Sequence, residues 1–513
     1  MFVCLLLTTL VAAEDARNPL PARIDQLIAA GYPDYAKHAA PLAADAEFVR
    51  RVYLDLTGTI PTADETRKFL ADASPGKRAT LINSLLNSPG YVRRMVWFLD
   101  VTFMERRTDT KVPRAAWEAY LQTAVSANRP YNLLVRDLLS NDGAEPKSRA
   151  AAKFFLDREM EPNLVTRDLA RIFLGRNLTC AQCHDHPSVN DYKQAEYYGI
   201  QAFVGRTFLF PNAKDPAAVL AEKADGDVTF VSVFDKAKKQ YTITPKMPGM
   251  KPAPEEKPDK GKEYKVAPAK DVRPVPTFSR RAMLAAAMTA RENPAFARNA
   301  VNRIWAMLLG RGLVNAIDWD HSDNPPSHPA LLDLLASEFL AHDYDVKWLV
   351  RQIALTQTYQ RSSEMPASLT DIPEDRYLVA NLKQLSPEQL AFAISQAGGQ
   401  PNGSGALGTF RNLFGARPGE PQDAPTATLD QTLFLKYGGT VRSLLAGRAA
   451  MLAKSPTDDA IAEDLFLSVL SRLPTAEEKR EVAEALKASK DRNTTLAELT
   501  WALAASAEFR FNH

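Results

Sequence analysis

The stretch Thr179–Pro187 reads Thr-Cys-Ala-Gln-Cys-His-Asp-His-Pro and concentrates the soft metal ligands of the chain. It holds Cys180 and Cys183, the only cysteines besides Cys4, together with His184 and His186, two of the seven histidines. Cys-x-x-Cys-His is the attachment pattern of c-type haem: two thiols add across the haem vinyl groups and the adjacent histidine takes the iron. That chemistry assigns thioether roles to Cys180 and Cys183 and the proximal iron position to His184. No sixth ligand is evident. His186 lies too close in sequence to reach the opposite haem face while His184 holds the first. The Met-x-x-Met run Met247–Met250 follows at a distance that would permit a distal Met such as Met250, and a Met ligand would raise the potential and suit electron transfer. The plainer reading of that run is a mobile Met pair at the start of a linker.

Two other chemistries fit the same residues. Zinc accepts Cys and His ligands in sets of four, so Cys180, Cys183 and His184 or His186 could be completed by His321 or His328. A Cys180–Cys183 disulfide closes so small a loop that it would add little stability, and such pairs are more often redox-active or metal-holding. His184, directly after Cys183, tips the choice towards haem c, with zinc as the alternative cofactor. The loop Asp318–Pro329 carries Asp318, Asp320, His321, Asp323 and His328, a set that could bind a metal or polar substrate. Its plainer reading is a solvated turn, stiffened by Pro325 and Pro326, with Ser327 capping the next helix. Gly-x-Ser-x-Gly, phosphate-loop and His-Glu-x-x-His motifs are all missing from the sequence. The alternative to a haem protein with a redox or electron-transfer role is a non-haem exported binding or scaffold protein, or a metal-dependent enzyme, whose Cys/His cluster holds zinc or a disulfide.

Periodicity indicates what positions these residues. Val165, Leu169, Ile172 and Phe173 share one helical face, with Asn163 as a cap and Gly175 as the stop, so the cysteines follow a buried helix. Helical spacing also marks Phe48–Leu56 before Gly58, Leu81–Leu86, Phe296–Leu308, Leu331–Leu340 and Val346–Ile353. Pro61–Glu65 and Pro474–Glu478 repeat one helix-start signal, Pro-Thr-Ala-acid-Glu, either as a degenerate internal repeat or by convergence. Strand character is confined to residues 203–246, where Val228–Phe234 and Gln240–Thr244 suggest a hairpin. Residues 251–276 are rich in Pro, Lys and Glu and read as an exposed linker, and 400–428 as a long surface loop. The expected fold is mainly α and multi-helical, with two domains: 22–250, containing the small β-hairpin element, and 277–513.

At 513 residues the chain exceeds one hydrophobic core. Lys and Arg total 63 against 61 Asp and Glu, a balance that argues against nucleic acid or an anionic membrane surface as partner. Residues 1–13 form an apolar run too short to span a bilayer but suited to a signal peptide, with Val11 and Ala13 at its −3 and −1 positions. Export to the periplasm or cell envelope is expected, with no transmembrane segment in the mature chain.

The motifs together resemble a planctomycete-type family of exported two-domain proteins of unknown function. Cys180–Pro187, preceded by Arg171–Gly175 and followed by Tyr197–Gly199, is similar to its cytochrome-like domain, whose start Arg50–Gly58 and Pro61–Thr62 resemble. Asn293–Pro294, Asn302–Trp305, Gly310–Leu313, Asn324–Pro329, Thr358–Gln360 and the end Glu508–His513 are similar to its usual partner domain. The resemblance implies a first domain labelled cytochrome-like for its Cys-x-x-Cys-His, and no assigned function for either domain. It implies no reaction, and the redox partner protein or surface complex that a haem protein would serve is unknown.

Overall fold

The structure, a computed structural model, describes residues 18–211, 214–371, 373–422 and 427–513. The apolar segment 1–13, with Cys4, lies outside the described residues. Helices dominate, and the strands form four two-stranded antiparallel sheets among the described residues, the mainly α class that the periodicity predicts. No described helix is long and apolar enough to cross a membrane. Two compact units emerge: Leu99–Ala306 with Arg311–Leu349, and the chain up to Phe98 with Met307–Gly310 and Val350–His513. Each therefore draws residues from both sides of 251–276.

In the unit that carries the cysteines, the helix Pro162–Leu174 buries Val165, Leu169, Ile172 and Phe173 completely. Its start differs from expectation. Pro162 occupies the first turn, where a missing N–H costs nothing, so Glu161 is the cap and accepts from the amides of Asn163 (3.1 Å) and Leu164 (2.5 Å). Asn163 instead accepts from the Tyr197 hydroxyl at 2.9 Å and Gln201 Nε2 at 3.0 Å, which ties this helix to the helix Gln194–Val204. Gly175 ends the first helix at φ +68°, and a Cβ there would meet Asn299 Oδ1 at 2.9 Å. The chain then pairs with the 318–320 segment: Asn177 N donates to Asp318 O and Asp320 N to Gly175 O, both at 2.9 Å.

Beneath that pairing lies a buried ionic network. Arg171 grips Glu105 through both guanidinium nitrogens and reaches Asp168 at 3.1 Å and Asp318 at 3.3 Å. Arg303 pairs with Asp318, and Arg158 with Asp168 at 2.6 Å. Burial works against ionisation of Asp168, but Arg158, Arg171 and Arg107 outweigh it and hold that carboxyl below its usual range. Paired in this way, the charges escape the large penalty of isolated burial.

Strands β1 (Thr207–Phe210) and β2 (Val219–Glu222) pair with Thr207 opposite Glu222. The expected hairpin is present as β3 (Val228–Phe230) and β4 (Tyr241–Ile243), with Val228 opposite Ile243. Its ladder stops short of Phe234 because Val233 N donates to Cys183 O at 3.3 Å rather than across the hairpin. The 251–276 segment is structured as well: β5 (Tyr264–Val266) pairs with β6 (Val275–Pro276), and Glu255 binds Arg206 at 2.9 Å and Arg280 at 2.8 Å.

The other unit packs around the helix Asp45–Thr57, which is buried from Phe48 to its end and stops at Gly58, φ +75°. Arg50 donates to Val469 O at 3.1 Å and Phe509 O at 2.7 Å, satisfying carbonyls at helix ends. Asp55 accepts from the Tyr359 hydroxyl (2.9 Å), Lys383 Nζ (2.5 Å) and Asn512 Nδ2 (2.8 Å). Lys383 and Asn512 sit on β7 (Lys383–Gln384) and β8 (Phe511–Asn512), which pair with each other. Both Pro-Thr-Ala-acid-Glu signals form capping boxes, Thr62 with Glu65 and Thr475 with Glu478, and both belong to this unit. The expected loop 400–428 contains the helix Leu407–Phe414, whose Phe410 is fully buried.

Candidate functional site

Cys180–Gln182 forms a single 3-10 turn, extended by His184 N donating to Cys180 O at 3.3 Å. Residues three apart on a 3-10 turn share a side, so Cys180 and Cys183 face the same way, with His184 next in the chain. Both thiols are free and exposed. Ala181 is buried and anchors the turn in the core.

The histidines differ in what their ring nitrogens do. His184 Nδ1 lies 2.7 Å from Asp185 O. A carbonyl only accepts, so Nδ1 carries the proton and the neutral ring leaves its lone pair on Nε2, the arrangement of an oriented metal ligand. His186 is the reverse: its Nδ1 accepts from the amides of Ser188 (3.2 Å) and Val189 (3.0 Å). The neutral His186 ring then carries its proton on Nε2 and offers no lone pair outward. His321 Nδ1 likewise accepts from Asp323 N at 3.2 Å.

His186 and His321 do come near each other, but around aromatic rings. His186 lies 6.0 Å from Tyr192 and 6.2 Å from Trp319, and His321 lies 5.4 Å from Tyr192 and 5.9 Å from Trp319. The 318–323 loop is fastened there by Ser322, whose amide and hydroxyl reach Asp191 at 2.7 and 3.0 Å. Asp318 is buried and engaged by Arg171 and Arg303, so it is neither solvated nor placed for a metal. His328 is buried, with Nδ1 3.1 Å from Ser327 Oγ, and it, not Ser327, is the cap residue of the helix Pro329–Ala341. Among the described residues, no three His, Cys, Asp or Glu side chains converge to hold a metal ion. Met247 is buried and Met250 half-buried, in a turn closed by Met250 N to Met247 O and held where Gly249 N meets Glu196 at 3.1 Å.

Residues to which the sequence reading gives no role surround the cysteines. The Asp185 carboxylate accepts from Gln194 N at 2.8 Å at the start of the next helix. The Tyr198 hydroxyl donates to Gln182 O at 2.8 Å, and its ring stacks on Phe230 at 4.5 Å and 4°. Burial holds the Tyr198 hydroxyl above its ordinary pKa and keeps it a donor. Phe234 lies 4.8 Å from the His184 ring. The Tyr197–Gly199 run flagged Tyr198; nothing local flagged Phe234, fifty positions from its partner.

The turn thus has a donor set suited to haem c: two exposed thiols, a histidine with its lone pair on the outer nitrogen, and neighbouring apolar side chains. Fold and site together define a mainly α protein built around a surface Cys-x-x-Cys-His turn. Residues 23–208 match the family model PSCyt2, a protein of unknown function (DUF1549), and residues 280–413 match PSD1, a protein of unknown function (DUF1553). The two matches follow one another in that order along the chain, and both families are described as of unknown function. The cysteines fall within the first match, and the 318–328 loop within the second. No curated protein and no solved structure matches the chain.

Proposed function

We propose that the chain is an exported c-type haem protein with a redox or electron-transfer role, with haem c attached through Cys180 and Cys183 and His184 on the iron. The observation that carries this reading is the His184–Asp185 hydrogen bond, which leaves Nε2 as the unprotonated nitrogen on a turn presenting both thiols. Bound haem would supply one-electron chemistry. The chain's own part is to hold the imidazole in one tautomer, present the thiols, and anchor the turn through Ala181 and Tyr198. Zinc is the weaker reading: His186 or His321 would have to give up the backbone amides that its Nδ1 accepts, and His328 is buried with its Nδ1 beside Ser327 Oγ. A redox partner protein or surface complex would exchange the electron; the near-neutral charge does not favour nucleic acid.

The test is a haem-stained denaturing gel and a reduced absorption spectrum of protein exported in a host competent for c-type maturation. Covalent haem that survives denaturation is the expected result. Absence of haem, with stoichiometric zinc by elemental analysis, would overturn the reading in favour of a metal site.

A further inference from the structure

We propose that the 231–240 connection between β3 and β4 is the apolar wall of the haem site, with Phe234 as the positioning residue for the His184 ring; this rests on the haem reading above. The segment lies in the interval between the two family-model matches. Val231, Val233 and Phe234 are 40, 65 and 74% exposed. Three large apolar side chains left so open within four residues mark a surface that something covers. Their position names the occupant. Val233 is bonded through its amide to Cys183 O, and Phe234 is in ring contact with His184, so what the cysteines hold is what these side chains meet.

The connection has a fixed shape. Asp235 accepts from the amides of Ala237 (2.9 Å) and Lys239 (3.2 Å) and donates its own to Ser232 O at 3.0 Å. Phe230, at the end of β3, stacks between Tyr198 and Tyr241. The hairpin is therefore tied to the Cys turn directly by Val233 N to Cys183 O, and indirectly by Phe230, which stacks on the Tyr198 ring whose hydroxyl bonds Gln182 O. Lys236, Lys238 and Lys239 follow the apolar residues and are exposed, a pattern that suits an apolar ring bearing carboxylate side chains.

An apolar shell sets the potential of a haem by limiting water, which favours the more charged oxidised state. The full chain, matured with haem, is compared as wild type, Phe234→Ala, Phe234→Tyr and the Val231→Ser/Val233→Ser pair, reading haem stain, reduced spectrum and midpoint potential. These side chains are largely exposed, so the variants fold. All are expected to carry covalent haem. Phe234→Ala and the paired serine variant should favour the oxidised form about tenfold, about 59 mV for one electron, with a shifted spectrum, and Phe234→Tyr should restore both. Covalent haem with an unchanged potential and spectrum in Phe234→Ala would overturn the wall and leave the haem reading standing. A wild-type chain without covalent haem would overturn both.

Discussion

His184 Nδ1 donates to Asp185 O at 2.7 Å, whereas His186 Nδ1, two residues on, accepts from the amides of Ser188 and Val189. One ring is left with an outward lone pair and the other with an outward N–H. Replacing His184 by Ala should abolish the spectrum of an axially ligated haem. His186→Ala should retain it while removing the acceptor of two amides, one of them exposed, a loss of about 0.5–1.5 kcal/mol seen in chemical denaturation. A His186 variant that loses the spectrum at unchanged stability would reverse the assignment.

Local signals in the sequence translated directly, and non-local ones did not. Gly58 and Gly175 end helices at positive φ, and Thr62–Glu65 and Thr475–Glu478 close capping boxes, because each device needs only neighbours in the chain. Asn163 is displaced as cap by Glu161, because Pro162 takes the first helical position and the helix starts two residues earlier than an Asn163 cap would place it. In the helix Leu407–Phe414 the apolar spacing Leu407, Phe410, Phe414 was diluted by the surrounding glycines and prolines. The burial of Asp318 depends on Arg171, a partner far away in sequence, and the Phe234–His184 contact is likewise long-range. Type and spacing located the candidate turn; its wall and its ionic floor required the fold.

The Thr475–Glu478 capping box gives a local stability test. Glu478 Oε2 accepts from Thr475 N at 2.7 Å, and Thr475 Oγ1 accepts from Glu478 N at 3.2 Å. Thr475→Ala should cost about 1 kcal/mol in urea denaturation. Hydrogen bonds from Arg472, then the Thr475 amide, hold the Glu478 carboxyl at about 2 against burial. Because that value lies below the unfolded one of about 4.3, its contribution is present above pH about 4.3 and is lost as pH falls towards 2. Glu478→Gln should flatten this acid limb; an unaltered pH profile would show that the carboxylate contributes nothing there.

Gly175 links the buried helix to the cysteine turn. Its φ of +68° and the 2.9 Å approach that a Cβ would make to Asn299 Oδ1 both oppose a side chain. Gly175→Ala should destabilise by about 1–2 kcal/mol from the left-handed backbone alone. The shift should also loosen the turn, so the thiols of haem-free protein should be labelled faster by a thiol reagent than in wild type. Unchanged stability and labelling would mean that the turn is placed without this glycine.

Arg171 joins three carboxylates at the floor of the same unit. Its removal as Arg171→Met leaves Glu105, Asp168 and Asp318 buried with fewer cations, and breaking a buried pair in this way costs about 3–5 kcal/mol. The pH dependence has a definite sign. Asp168 is held below its unfolded value of about 3.9, its burial outweighed by Arg158, Arg171 and Arg107. Its stabilising contribution is therefore complete above that value and disappears as pH falls through the folded value. With one of the three cations gone, the folded value rises and the acid loss should begin at higher pH. Denaturation midpoints of wild type and Arg171→Met between pH 7 and pH 3 check both statements. A variant as stable as wild type at pH 7 would show that Arg303, Arg158 and Arg107 suffice to balance the carboxylates, and that the floor of the cysteine turn does not depend on Arg171.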